Sequence, residues 1–172
     1  MRGVVKLLKS QRILAFLAAS LVVVAAIGVG WLIISRPVIP PDIKKQIDFL
    51  VLYPQGDSNI VVDRSTFKYD SQNHVLSFVV TCFGVKNTIT EQATPDSFND
   101  IPQYLDKVLQ QLNSYSSFDT DMGKANLTHP SNLNGDQAAV MNTKGVLMFA
   151  HPVSTLTESQ WRQFFNSLSV IK

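Results

Sequence analysis

The chain has 172 residues, 45% of them hydrophobic, one cysteine and a formal charge of +2. A lone cysteine excludes an intramolecular disulfide, and the length suits one ordinary domain rather than an array. The positive balance is not a nucleic-acid footprint: residues 1–36 carry five Lys/Arg and no acid, whereas the remainder carries ten Lys/Arg against thirteen Asp/Glu, a net of −3.

Ile13 to Ile34 (ILAFLAASLVVVAAIGVGWLII) is a run of 22 residues without a charge. As a helix it covers about 33 Å, enough for a hydrocarbon core of about 30 Å, and backbone groups in lipid must be paired within the helix. Arg2, Lys6, Lys9 and Arg12 precede it and only Arg36 closely follows. The positive-inside bias therefore predicts a cytoplasmic basic N-terminus over 1–12, a transmembrane helix over 13–34 and an extracytoplasmic remainder at the plasma (inner) membrane. Trp31 suits the outer interface. A cleaved signal peptide has an apolar stretch of about 7–15 residues and a small-residue cleavage site, so the longer run here reads as an uncleaved signal anchor. Ala15/Ala19 and Ala26/Gly30 have the spacing of a helix-packing face.

Residues 35–46 form a Pro-rich spacer, stiff and extended by composition. The outer domain, 47–172, has no Lys/Arg cluster beyond Lys44–Lys45 at its threshold. Ile47–Tyr53 is apolar and β-prone until Pro54-Gln55-Gly56-Asp57 breaks it. Ile60–Val62 and Thr66–Tyr69 are short strand candidates, and Asp70-Ser71-Gln72-Asn73 is a turn. Val75–Val85 has the strongest strand content, and Asn87–Glu91 reads as its partner or continuation across a tight bend. After Thr94-Pro95-Asp96-Ser97, the recurrence of Tyr104, Leu105, Val108, Leu109 and Leu112 predicts an amphipathic helix over 102–113. Residues 114–136 are polar and turn-rich, with a strand around Gly123–Leu127. Gln137–Thr143 and Gly145–Ala150 read as a β-hairpin. Thr157 with Gln160 fits a capping box and Leu156 with Trp161 a hydrophobic staple. Trp161, Phe164, Phe165 and Leu168 then form one face of a helix ending near Ser169.

The order is β-rich, helix, β-rich, helix. It predicts an α+β domain, an antiparallel sheet packed against two helices. The Tyr53-Pro54 strand end, the stretch Phe67-Lys68-Tyr69-Asp70, the run Thr88-Ile89-Thr90-Glu91-Gln92 with Pro95, Gly123-Lys124-Ala125, the hairpin and a final helix with Asn166-Ser167-Leu168 together resemble membrane-anchored extracytoplasmic domains of bacterial envelope proteins, grouped as domains of unknown function. The resemblance covers roughly 47–170 and implies an extracytoplasmic α+β domain behind a signal anchor, with no catalytic residues to carry over. It departs at the first loop, where Gln55-Gly56-Asp57 replaces a proline-glycine turn. At fold level alone the pattern is similar to lipoprotein-carrier and anti-sigma-regulator sheets that bind apolar ligands, a likeness that does not itself assign function.

The residue inventory offers little chemistry. Thr81-Cys82 at a strand end matches the last two residues of the sortase nucleophile motif, but a thiolate needs a base, and the only upstream histidine, His74, stands across a turn, with no Arg between Arg64 and Arg162. His74, His129 and His151 are isolated beside turn residues and lack metal-ligand spacing. Asp119, Asp121 and Gly123 hint at a calcium loop, yet the glycine falls at position five and no Glu follows at twelve. Asp96, Asp100 and Asp106 surround a helix start, where acids suit the macrodipole. Asn126-Leu127-Thr128 is a sequon, meaningful only in a eukaryotic secretory setting. No catalytic, cofactor or metal residue is assigned. Phe49, Phe78, Phe83, Phe149, Trp161, Phe164 and Phe165 read as core, with an apolar groove on an uncovered sheet face as the other possibility.

The expectation is a non-enzymatic binding or scaffolding domain of the cell envelope. Its partners would be the membrane through Ile13 to Ile34 and a protein partner or apolar ligand, with no nucleic acid and no cofactor. A thiol-dependent, sortase-like surface enzyme using Cys82 and a minor subunit of a surface filament are the alternatives. The filament reading lacks the glutamate early in the apolar run that pilin-like subunits carry.

Overall fold

Alternation of inward apolar and outward polar side chains, broken by short turns, dictates a β-sheet protein. The computed structural model describes residues 38–100, 103–129 and 137–171. The transmembrane reading of 13–34 and the basic segment 1–12 lie outside the described residues, among which no helix is long and apolar enough to cross a membrane. The compact unit that carries the sheet is Ile39–Lys172.

The chain enters through a one-turn helix, α1 (Pro41–Lys44), and a short strand, β1 (Val51–Pro54). Three strands follow as a meander: β2 (Ile60–Asp70), β3 (Val75–Cys82) and β4 (Val85–Ala93). Two helices, α2 (Ser97–Asp100) and α3 (Tyr104–Gln111), lead to a second meander of β5 (Ser114–Thr120), β6 (Gly123–Thr128), β7 (Ala138–Thr143) and β8 (Val146–Pro152). Helix α4 (Glu158–Asn166) and strand β9 (Leu168–Ile171) close the chain. The two meanders join through β4 and β8 into one antiparallel seven-stranded sheet, in the order β2-β3-β4-β8-β7-β6-β5, and β1 pairs with β9 in a separate two-stranded ribbon. The α+β architecture with an antiparallel sheet is therefore as expected.

Turn chemistry explains the meanders. Phe83-Gly84 and Lys144-Gly145 are two-residue turns with positive φ at both positions (52° and 80°; 52° and 76°), the conformation that matches strand twist and that glycine supplies without a steric cost. At the β2–β3 turn Asp70 Oδ1 accepts from the backbone N–H of Gln72 and of Asn73. The two strand candidates around Arg64 are one strand with an irregularity between Asp63 and Lys68, where Thr66 Oγ1 donates to Asp63 O and accepts from Val79 N–H. A kinked edge strand bearing Asp63, Arg64 and Lys68 resists pairing with another chain.

Both faces of the sheet are covered over its centre. On one, Leu109 of α3 packs on Val140 and Leu147, with Phe98, Leu105, Leu112 and Phe149 around them. On the other, Leu76, Phe78, Val80, Ile89, Met141, Met148 and Ala150 are buried, with Trp161, Phe164 and Phe165 of α4 fully inaccessible and in mutual aromatic contact. Each of those three side chains contributes roughly 1.5–3 kcal/mol by burial. The groove considered for the sheet face is thus occupied by α3, and the aromatic residues read as core are core, apart from half-buried Phe83 and Phe149.

The sequence-derived boundaries move in four places. Ile39, inside the stretch read as spacer, is buried and belongs to the compact unit. Helix 102–113 contracts to α3, with α2 as a separate turn. Ser114–Thr120 is a strand rather than a loop. The last helix stops at Asn166, so Leu168 begins β9 instead of extending the helix face.

The capping box at α4 forms as read: Gln160 N–H donates to Thr157 Oγ1 (3.3 Å) and Thr157 N–H to Gln160 Oε1 (2.9 Å). Thr157→Ala should cost about 1 kcal/mol, measured as a lower urea midpoint with unchanged m-value. An unchanged midpoint would mean that packing alone sets the helix start.

Candidate functional site

Cys82 ends β3, opposite Ile60 and Val85, with no exposed surface. Burial pushes its thiol up to about 12, with the charge of Asp57 adding to the effect. A thiolate nucleophile needs the opposite shift. His74 stands eight residues back along the strand, about 26 Å away at strand rise, and its Nδ1 lies 3.3 Å from Tyr69 Oη. His74, the upstream histidine that a sortase-like mechanism would use as base, is therefore not beside the sulfur.

The other polar residues singled out in the sequence have structural partners. His129 stacks on Tyr115 with ring centroids 4.3 Å apart, and His151 is half-buried opposite Thr88. Asp119 and Asp121 flank the β5–β6 turn, which is held by Thr120 Oγ1 donating to Gly123 O and by Asp121 N–H on Asn166 Oδ1. Asp96 and Asp106 are exposed, with Asp106 in the first turn of α3. Among the described residues no three His, Cys, Asp or Glu side chains converge to hold a metal ion.

Two recesses stand out. A shallow polar trough of about 470 Å³ lies where the β1–β2 loop meets α4, lined by Gln55, Gly56, Asp57, Ser159, Gln163, Asn166 and Ser167. Its groups largely bind each other: Gln163 Nε2 donates to Asp57 Oδ2 at 2.6 Å and Gln55 N–H to Ser167 O at 2.8 Å. The trough is a seam between elements. The second recess is an apolar cavity of about 130 Å³ lined by Ile39, Lys44, Ile47, Phe49 and Val51. It is built entirely from the first residues of the compact unit.

Local folding produces this cavity. Lys44 N–H donates to Pro40 O, Lys45 N–H to Pro41 O, and Gln46 Nε2 to Asp42 O, which coils 40–46 into α1 and returns the chain towards Phe49. Ile39, Phe49 and Val51 form buried walls, Ile47 is half-buried and Lys44 is exposed. Behind the cavity β1 is fixed twice: by β9, with Val51 opposite Ile171, and by Glu91. Glu91 is 1% exposed on the inner face of β4, and its Oε2 accepts from Leu52 N–H at 3.1 Å. Burial holds its carboxyl well above the usual carboxylate range, against a smaller opposing effect of the Leu52 bond. Among the described residues its Oε1 has no hydrogen-bond partner, as is also true of Asn87 Oδ1 about 13 Å along the same strand.

Neither feature was assigned in the sequence. The sequence reads Glu91 as part of a strand without a role, although the alternation of Asn87, Ile89 and Glu91 against Thr88 and Thr90 puts it on the face of Ile89. The cavity residues were divided between spacer and strand. Comparison with protein-family models, with curated proteins and with solved structures gives no match for this chain.

Proposed function

We propose that the chain is a membrane-anchored extracytoplasmic binding or scaffolding domain of the cell envelope that performs no catalysis, held at the plasma membrane by Ile13–Ile34 with its N-terminus cytoplasmic. Supporting the topology are the uncharged run and the excess of Lys/Arg before it. The observation that carries the binding role is the apolar cavity of Ile39, Ile47, Phe49 and Val51 with a cation, Lys44, on its wall. A recess lined by aliphatic and aromatic side chains, with one charge to orient the occupant, suits an apolar ligand or the apolar side chain of a protein partner. A net charge of −3 beyond residue 36 disfavours nucleic acid.

The full chain, taken from membranes together with its surrounding lipid, should retain a specific lipid, peptide or protein detectable by mass spectrometry. Ile47→Glu should deplete that species several-fold while the anchor still fractionates with membranes. Recovery of the wild-type chain in the soluble fraction rejects the anchor, and identical co-purification by both variants rejects the cavity.

A further inference from the structure

The cavity's position in the chain restricts what can fill it. Only four residues, 35–38, lie between Ile34, the last of the apolar run, and Ile39, the first wall of the cavity, a path of five residue steps. Five residues span at most about 17 Å when fully extended. If the run is inserted, the cavity cannot leave the headgroup layer by more than that distance. Given the membrane anchor proposed above, we infer that the cavity receives an anionic phospholipid from the outer leaflet of the same membrane: an acyl segment against Ile39, Ile47, Phe49 and Val51, and the phosphate near Lys44.

Three observations support this occupant. The walls are aliphatic and aromatic, so they take hydrocarbon rather than a polar solute. The charge lining the recess is cationic, and Lys45 stands exposed beside it, the only adjacent pair of Lys/Arg beyond residue 36. The nearby acids do not cancel this at the cavity. Asp48 is exposed and Asp42 is on the opening turn of α1, and neither lines the recess. A lysine ammonium near an anionic surface contributes about 1 kcal/mol of attraction. An apolar recess with a cationic rim, tethered within about 17 Å of the end of the apolar run, is the complement of a phospholipid with a negative head.

The test uses the full chain reconstituted in phosphatidylcholine vesicles with and without phosphatidylglycerol. Cys82 is buried, so Ile47→Cys supplies the accessible thiol for a polarity-sensitive fluorophore. The inference expects a blue-shifted probe, quenched by spin-labelled lipid and shielded from aqueous iodide, more so with phosphatidylglycerol. Lys44→Glu should lower the ratio of engaged to free probe at least fivefold in the anionic vesicles, about fivefold being the loss of one lysine's attraction alone. The same fluorophore on Thr155→Cys, at an exposed position, should stay open to iodide. Hydrogen exchange on the unlabelled chain gives an independent reading, with slower amides over 44–51 in anionic vesicles. A probe at 47 that is as open to iodide as that at 155, on chains that float with the vesicles, overturns the lipid assignment and leaves the anchor standing. Equal engagement in both vesicle types and in Lys44→Glu overturns the choice of an anionic head. Chains that do not float with vesicles overturn anchor and inference together.

Discussion

Lowering the pH from neutrality to about 5 should stabilise the folded unit, and Glu91→Gln should abolish that gain. Glu91 is enclosed by the sheet and β1, opposite Leu76 on β3 and Met148 on β8, and its Oε1 has no hydrogen-bond partner among the described residues. Its folded-state pKa is raised, whereas in the unfolded chain it titrates near the ordinary value of 4.5. Above that value the unfolded state releases a proton that the folded state keeps. Stability then falls as pH rises, by up to about 1.4 kcal/mol per pH unit, until the folded group itself ionises. The reverse holds for Asp63 and Asp70, whose carboxyls sit below 3.8, chiefly through side-chain hydrogen bonds from Ser65 and Asn73; their contribution is present above that value and fades below it. The wild-type optimum should accordingly lie near pH 4–5, between these windows. Glutamine keeps the shape and can accept from Leu52 N–H through its carbonyl, but it has no proton to lose. Urea unfolding of residues 39–172 across this range, followed by Trp161 emission, should show a falling limb towards neutrality in the wild type and a flat one in Glu91→Gln. Parallel profiles would mean that another group carries the pH dependence.

What was legible in the sequence follows how local each signal is. The α4 cap was readable because Thr157, Gln160, Leu156 and Trp161 act within five residues of one another. The β7–β8 hairpin was readable because Lys144-Gly145 names its turn. Strand β5 was not, since in Ser114–Thr120 only Phe118 is buried and the rest is the polar edge of the sheet. Strand β9 was obscured because Leu168 continues the helical spacing of Trp161, Phe164 and Phe165; what converts it to a strand is a partner more than a hundred residues away, Leu168 opposite Pro54. The same distance hid the site. Ile39 and Lys44 look like spacer until the chain folds back and sets Phe49 and Val51 beside them. The sequence offers Cys82 only the distant His74 as a base, and the structure adds that its sulfur is buried, an environment that disfavours the thiolate.

The other large effect should come from Gln137→Leu. Gln137 precedes β7 and is 5% exposed. Its Oε1 accepts from Trp161 Nε1–H at 2.7 Å and from Leu156 N–H at 3.0 Å, and its Nε2 donates to Tyr115 Oη at 2.5 Å. One amide therefore joins the start of β7, the segment before α4, the indole of α4 and the edge strand β5. Leucine has similar bulk but leaves the indole N–H and the Leu156 N–H buried without acceptors. Each orphaned donor costs about 1–3 kcal/mol, so the variant should lose about 2–6 kcal/mol, a large part of a domain's usual 5–15. Trp161→Phe removes one of the two orphaned donors together with part of the aromatic packing. If the hydrogen bonds matter as argued, Gln137→Leu should cost less in the Trp161→Phe background, with a coupling of about 0.5–3 kcal/mol from circular-dichroism unfolding curves of all four proteins. Strict additivity would assign the loss to packing around Leu156 and leave the amide without an energetic role. The geometry argues for coupling, because the indole nitrogen and the backbone nitrogen converge on one carbonyl oxygen, and no other acceptor for the Trp161 N–H is seen among the described residues.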